Sequence, residues 1–177
     1  AEGDVILGLA SNGLHSNGFS LVRRLVEAES LAWDAPSPAA PSQSLAEDLL
    51  TPTRIYVRAV LAALKAKAPI KGLVHITGGG FQENLPRVLT DDLAAHIDLS
   101  AWKLPPIFQW VQKAGAVEQA ELLRTFNCGI GMALVVPAKA AADVMAVLAK
   151  QGETVLPIGS LTRRQGDGVT FSGTLSA

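Results

Sequence analysis

The sequence is poor in cysteine and in charged residues. Its 177 residues include one cysteine, Cys128, which excludes an intrachain disulfide and favours a cytoplasmic protein. Charged residues make up 18% and the net charge is −1, which argues against nucleic-acid binding through a broad basic surface. No apolar run reaches the roughly 18 residues of a membrane-spanning helix. The three histidines lack zinc-site spacing, so we expect no metal site in this chain.

Hydrophobic residues are abundant, at 49%, which excludes a disordered chain and is sufficient for one packed domain. Apolar patterns predict alternating strands and helices. The predicted strands are 4–10, 73–77, 93–98, 129–136, 155–161 and 169–171, and the predicted helices are 19–27, 45–50, 54–67, 81–89, 107–113, 117–125 and 137–150. This alternation predicts an α/β fold, with a mixed sheet covered by helices in a three-layer α/β/α sandwich.

The stretch SNGLHSNG, residues 11–18, connects the first predicted strand to the first helix. Its glycines relieve steric limits on the backbone, and Ser16 and Asn17 can cap the helix that follows. His15 adds a group that can donate, accept or carry charge near pH 7. The residues alone leave two interpretations open: a functional loop that binds an anion, or a turn with a surface histidine.

A second candidate site is HITGGGF, residues 75–81. Three glycines after a strand allow backbone N–H groups to approach a ligand, which we favour over a tight packing turn. His75 lies within the predicted strand, where a hydrogen-bonded core histidine is more common than a catalytic one. Asn127 precedes another strand and is predicted at a pocket rim, whereas Cys128 is more typical of a small buried residue than of a nucleophile.

Four segments together resemble one family. They are GDVILGLASNGLHSNGFSLVRRL, LLTPTRIYV, HITGGGFQENLPRVL and LRTFNCGIGMALVVP, in this order. In these segments the chain resembles the C-terminal domain of phosphoribosylformylglycinamidine cyclo-ligases, also called aminoimidazole ribonucleotide synthetases. The likeness covers nearly the whole chain. Phe19, Gln82 and Cys128 depart from it, at positions where Tyr, Pro and Met are frequent.

The resemblance implies an ATP-dependent ring closure in purine synthesis, which converts formylglycinamidine ribonucleotide to aminoimidazole ribonucleotide with release of ADP and phosphate. It also implies a two-domain, homodimeric enzyme, of which residues 1–177 would be the C-terminal domain. The N-terminal domain, absent from this chain, would bind most of the ATP and Mg²⁺, and the active site would lie between the domains. Two alternatives remain: a related ATP-dependent phosphoryl-transfer enzyme, or a non-catalytic binding module.

The resemblance also assigns roles to residues. His15 is the expected catalytic residue, facing the substrate from the cleft. The residues expected to bind the substrate or its phosphate are Ser16, Asn17, Gly18, Thr77, Gly78, Gly79, Gly80 and Asn127.

Overall fold

The computed structural model describes residues 1–176, in which a six-stranded sheet carries helices on both faces. The strands are β1 (Val5–Ala10), β2 (Gly72–His75), β3 (Leu93–Asp98), β4 (Ile130–Val136), β5 (Val155–Arg163) and β6 (Val169–Ser172). The helices are α1 (Phe19–Ala28), α2 (Leu45–Leu49), α3 (Val57–Lys65), α4 (Gly80–Asn84), α5 (Pro106–Ala114), α6 (Gln119–Thr125) and α7 (Ala141–Ala149). Three 3₁₀ turns span Leu85–Val88, Leu99–Ala101 and Ala138–Ala140. The predicted α/β class is confirmed.

The sheet is mixed, with the strand order β2-β4-β1-β5-β3-β6. The pair β3–β6 is parallel and the other pairs are antiparallel. Strand β1 lies inside the sheet, between β4 and β5, whereas β2 lies at one edge. Because β1 and β2 both run antiparallel to β4, their last residues lie at the same end of the sheet, next to the beginning of β4.

Side chains that alternate along the strands build a core on each face of the sheet. Ile6 of β1 belongs to the larger core, whereas its neighbour Leu7 belongs to the smaller core on the other face. The larger core includes Val22 of α1, Phe81 of α4, Phe108 of α5 and Leu122 of α6. The smaller core includes Ala59 and Ala63 of α3, and Val144 and Leu148 of α7. The result is the predicted three-layer arrangement.

Three predicted helices differ from the observed ones. The helix predicted over 137–150 begins as the 3₁₀ turn Ala138–Ala140 and is α-helical only over Ala141–Ala149. The helix predicted from Arg54 begins only at Val57, and residues 51–56 have no regular structure. The helix predicted over 81–89 ends at Asn84 and continues as a 3₁₀ turn that contains Pro86. Proline lacks a backbone N–H and its ring clashes with the preceding helical turn, so it disfavours a continuous α-helix there.

Candidate functional site

Four segments of the chain meet at the end of the sheet where β1 and β2 terminate. Ala10, the last residue of β1, pairs with Ile130, and His75, the last of β2, pairs with Met132. The strand order therefore brings together parts of the chain that are far apart in sequence. The segments are 11–18, 51–56, 76–80 and 127–129, which we call the histidine loop, the TPTR segment, the glycine loop and the Asn-Cys-Gly turn.

Asn17 connects the histidine loop to the glycine loop. Its side-chain oxygen accepts a hydrogen bond from the Gly78 N–H at 3.0 Å, and its NH₂ group donates to the His15 carbonyl at 2.8 Å. The prediction that Ser16 and Asn17 cap α1 is therefore wrong. Gly18 precedes the helix with no side-chain cap, Ser16 is exposed, and the Asn17 amide has other partners.

His15 is enclosed, in contrast to the alternative of a surface histidine, with only 4% of its surface exposed. Its ring centroid lies 6.2 Å from that of Tyr56 and 6.3 Å from that of His75. Gly131 of β4 lies against the imidazole, because a Cβ at this position would be 2.6 Å from His15 Cε1 and would collide with the Tyr56 hydroxyl. The Tyr56 hydroxyl donates to the Ala10 carbonyl at 2.9 Å and so fixes the end of β1.

The hydrogen-bond partners of the His15 ring all lie at one nitrogen, Nε2. The Asn12 NH₂ group donates to the Pro52 carbonyl at 3.0 Å, which turns its Oδ1 towards His15 Nε2 at 2.6 Å. The same Nε2 also faces two backbone N–H donors, that of Asn12 at 3.3 Å and that of Arg54 at 3.4 Å. Within residues 1–176, the buried Nδ1 has no hydrogen-bond partner. Burial, and then the positive charges of His75 and Arg54, lower the pKa of His15 to about 4, which keeps the ring neutral near pH 7.

His15 should make the stability of the fold depend on pH. The pKa of His15 falls from 6.5 to about 4 on folding. Between pH 6.5 and pH 4 the unfolded chain therefore binds a proton at this residue more readily than the folded chain does. The stabilisation is complete above about pH 6.5 and is lost as the pH falls towards 4. Urea titrations at pH 7 and pH 4.5 should show the free energy of unfolding falling by on the order of 2 kcal/mol.

The control for this experiment is His15→Gln, which removes the titrating group and should flatten the pH dependence over this window. Asp4 and Asp98 have lowered pKa values and an ordinary value of 3.8, so their contributions are lost at lower pH. An equally steep fall in stability in His15→Gln would assign the effect to other groups.

Close packing explains why two positions of the glycine loop, 79 and 80, are glycine. Gly79 and Gly80 have positive φ angles of 89° and 57°. Gly80 is buried, and a Cβ there would collide with the Leu123 carbonyl oxygen of α6. A Cβ at Gly79 would collide with the Glu83 side chain, so this carboxylate lies over the loop. Of the N–H groups, that of Gly78 binds Asn17 and that of Gly80 binds the Thr77 carbonyl at 3.0 Å.

Two buried asparagines hold these loops from inside. Asn127 accepts from the Ser11 hydroxyl and the Gly129 N–H, both at 2.8 Å, and donates to the Gly13 carbonyl at 3.0 Å. The prediction that Asn127 lies at a pocket rim is wrong, because its amide is fully buried and supports the histidine loop from beneath. In place of the expected contact with substrate, the Asn127 amide supports the backbone of the histidine loop.

Asn84 is the second buried asparagine, and the sequence analysis missed it. Its NH₂ group donates to the carbonyls of Gly80 at 2.7 Å, Gly78 at 3.2 Å and Thr77 at 3.4 Å. The available signal was an asparagine four residues after a glycine triplet, where it can fold back on the loop. The interpretation of His75 as a core histidine is wrong, because this residue is exposed.

Comparison with known proteins identifies the family. The sequence profile described as "AIR synthase related protein, C-terminal domain" matches residues 1–172. The chain belongs to this family. The AIR synthase related domain thus extends over the whole sheet and all four segments of the candidate site.

Solved structures share the fold of this AIR synthase related domain. Thiamine-monophosphate kinase from Stenotrophomonas maltophilia is 17% identical, with a TM-score of 0.62 over 99% of this chain and 52% of its own. The hydrogenase maturation protein HypE in complex with ATP is 19% identical, with a TM-score of 0.56 over 97% of this chain and 48% of its own. This chain spans about half the length of these two proteins.

A third structure, T. maritima PurL complexed with AMPPCP, is 12% identical, with a TM-score of 0.50 over 92% of this chain and 22% of its own. In residues 1–176 of the present domain, no helix combines the length and apolar character that a bilayer crossing requires. Nor do these residues contain three or more His, Cys, Asp or Glu side chains grouped to hold a metal ion.

Proposed function

We propose that this domain is the C-terminal part of an ATP-dependent cyclo-ligase that converts formylglycinamidine ribonucleotide to aminoimidazole ribonucleotide. One observation carries the proposal. The four sequence segments that resemble the cyclo-ligases contribute the histidine loop, the TPTR segment, the glycine loop and the Asn-Cys-Gly turn, which lie together at one end of the sheet. Polar loops collected at one end of a sheet are typical of a binding site.

The chemistry needs an activated oxygen and a positioned nitrogen. In the proposed reaction, the amide oxygen of the substrate takes the γ-phosphoryl group of ATP, and ADP leaves. The amidine nitrogen then attacks the activated carbon, and the C–O bond breaks to release phosphate. The present domain would contribute neutral donors that hold the ribonucleotide and position it for ring closure.

The domain's own residues divide between contact and support. Ser16 and Thr77 have hydroxyls that can donate to a ligand, and Ser16 is exposed. Asn17, Gly18 and the glycines of residues 78–80 would shape the wall of the site. His15 stays the proposed proton-transfer residue of the histidine loop, because a neutral imidazole can accept a proton and its buried Nδ1 has no hydrogen-bond partner within residues 1–176. Substrate contact would require the loop to open around this nitrogen.

The remaining parts are assigned to an N-terminal domain. Residues 1–176 contain no cluster of three or more His, Cys, Asp or Glu side chains that could hold Mg²⁺, and in this proposal the metal and most ATP contacts come from that domain. In this proposal the complete enzyme is a cytoplasmic homodimer, with the active site between the two domains of each subunit.

A second candidate is a related ATP-dependent phosphoryl-transfer enzyme. The observation that favours it is the fold shared with thiamine-monophosphate kinase over 99% of this chain. That enzyme class would need the same binding of a phosphorylated substrate, but the product would be a new phosphate ester or anhydride instead of a ring.

The test is an assay of the complete enzyme and of this chain alone. We expect the complete enzyme to release ADP with formylglycinamidine ribonucleotide and to form aminoimidazole ribonucleotide, while the chain alone, folded, gives no turnover. Thiamine monophosphate serves as the competing substrate. Phosphorylation of that compound without ring closure would favour the second candidate, and full turnover by this chain alone would refute an active site shared between domains.

A further inference from the structure

A cavity of about 400 Å³ lies beside the glycine loop, at the β2 edge of the sheet. Its polar lining consists of His75, Thr77, Asn84 and Arg87. We propose that this cavity binds the phosphate monoester of the substrate through the Arg87 guanidinium and the Thr77 hydroxyl. The identity of the ligand as a ribose 5-phosphate rests on the proposed function, whereas the site itself rests on the lining and charge of the cavity.

The local fold brings these two donors to one cavity, beside the end of β2. His75 ends β2, Thr77 follows two residues later, and Arg87 lies on the 3₁₀ turn Leu85–Val88. Asn84 is buried beneath them and holds the backbone of Thr77 and Gly78 by hydrogen bonds to their carbonyls. Its Oδ1 also accepts from the Thr77 hydroxyl at 3.4 Å, a long hydrogen bond that a phosphate oxygen would replace. The position of Thr77 is therefore fixed before any ligand arrives.

The charge of the cavity is suited to an anion. Arg87 is exposed and, within residues 1–176, forms no ion pair and no hydrogen bond. The cavity lining, in the same residues, includes no carboxylate. A guanidinium presents a planar fork of N–H donors that matches phosphate oxygens, and a hydroxyl adds a further donor. The volume is within the range for small-molecule sites.

The glycine triplet itself is a poorer place for the phosphate. The Gly78 N–H binds Asn17 and the Gly80 N–H binds the Thr77 carbonyl, so these donors are already used. The Glu83 carboxylate lies over Gly79 and would repel a dianion. The phosphate is therefore better placed on the Thr77 side of the loop, where Arg87 supplies positive charge.

The experiment is an NMR titration of the ¹⁵N-labelled chain with ribose 5-phosphate, with unphosphorylated ribose as the ligand control. Amide shifts should centre on His75, Thr77 and Arg87 and should be absent with ribose. In Arg87→Gln the dissociation constant should rise about tenfold, because a charge-assisted hydrogen bond is lost. The matched control is Arg24→Gln, an exposed arginine on α1, which should change binding less than about twofold.

Several outcomes would overturn the proposal. Shifts centred on 78–80 and enlarged in Glu83→Gln would place the phosphate on the glycines, and shifts centred on 15–19 would place it on the histidine loop. Equal weakening in both arginine variants would indicate non-specific attraction, and a folded chain without shifts would have no site here. Ribose 5-phosphate binding at the cavity in an enzyme without cyclo-ligase activity would leave this site standing and refute the proposed function alone.

Discussion

Replacing Gly80 by alanine is expected to lower the free energy of unfolding by about 3 kcal/mol or more. Two effects add. The φ angle of 57° is in the left-handed region, which costs an alanine about 1 kcal/mol or more. The new Cβ would also collide with the Leu123 carbonyl, which is backbone of α6 and cannot rotate away. Relief therefore requires α4 and α6 to separate, although Phe81 and Leu122 are both fully buried between the helices and the sheet.

Gly78 provides the matched control within the same triplet. Its φ is not positive, and a Cβ there would meet only Asn17 Oδ1, at an ordinary 3.5 Å. Gly78→Ala should therefore change stability by less than about 1 kcal/mol in urea titrations. If both variants lost the same amount of stability, the close packing of α4 on α6 would not explain why residue 80 is glycine.

Gly131→Ala is expected to cost about 2–3 kcal/mol of stability and to disturb the candidate site. The added methyl group would overlap the Tyr56 hydroxyl and lie 2.6 Å from His15 Cε1. Either the tyrosine gives up its hydrogen bond to Ala10, or the imidazole leaves its enclosure. In both cases the environment that lowers the pKa of His15 is lost, so the imidazole should titrate closer to its ordinary 6.5 in NMR spectra.

A second substitution identifies the atoms that collide. In Gly131→Ala with Tyr56→Phe, the hydroxyl in the path of the methyl group is absent, so the double variant should lose less stability than the sum of the single variants. Gly72→Ala on β2 is the control, since the atoms nearest to its Cβ would belong to Val88, at 3.3 Å, and Val135, and not to His15 or Tyr56. Strict additivity together with an unshifted His15 pKa would contradict the proposed contact.

The sequence predicted the layers of this fold better than their arrangement. Apolar runs such as that of β1 identify buried strands, because a strand covered on both faces has few polar positions. The order β2-β4-β1-β5-β3-β6 depends on pairings between distant segments, which local patterns do not encode. Helix ends were predicted poorly where tertiary contacts override local preference. The helix predicted from Arg54 begins after Tyr56, whose side chain is buried beside His15.

The sequence located the candidate loops but did not reveal the environments of their residues. The histidine and glycine loops are recognisable from composition, and the structure joins them directly through Asn17 and Gly78. The burial of His15 was not predictable, because it depends on Tyr56 and on the missing side chain at Gly131. Asn127 and Asn84 have the residue type of ligand contacts, but their amides are used by backbone groups of the loops, and only coordinates reveal those partners.

The side-chain amide of Asn17 couples the histidine loop to the glycine loop through two hydrogen bonds. Its side-chain oxygen accepts a hydrogen bond from the Gly78 N–H, and its NH₂ group donates one to the His15 carbonyl. A ligand that draws the glycine loop outward must either break the first bond or pull on the residue that holds the enclosed imidazole. Because the two hydrogen bonds share one amide, a displacement of either loop strains the contact of the other, and ligand binding at one loop would alter the affinity of its neighbour.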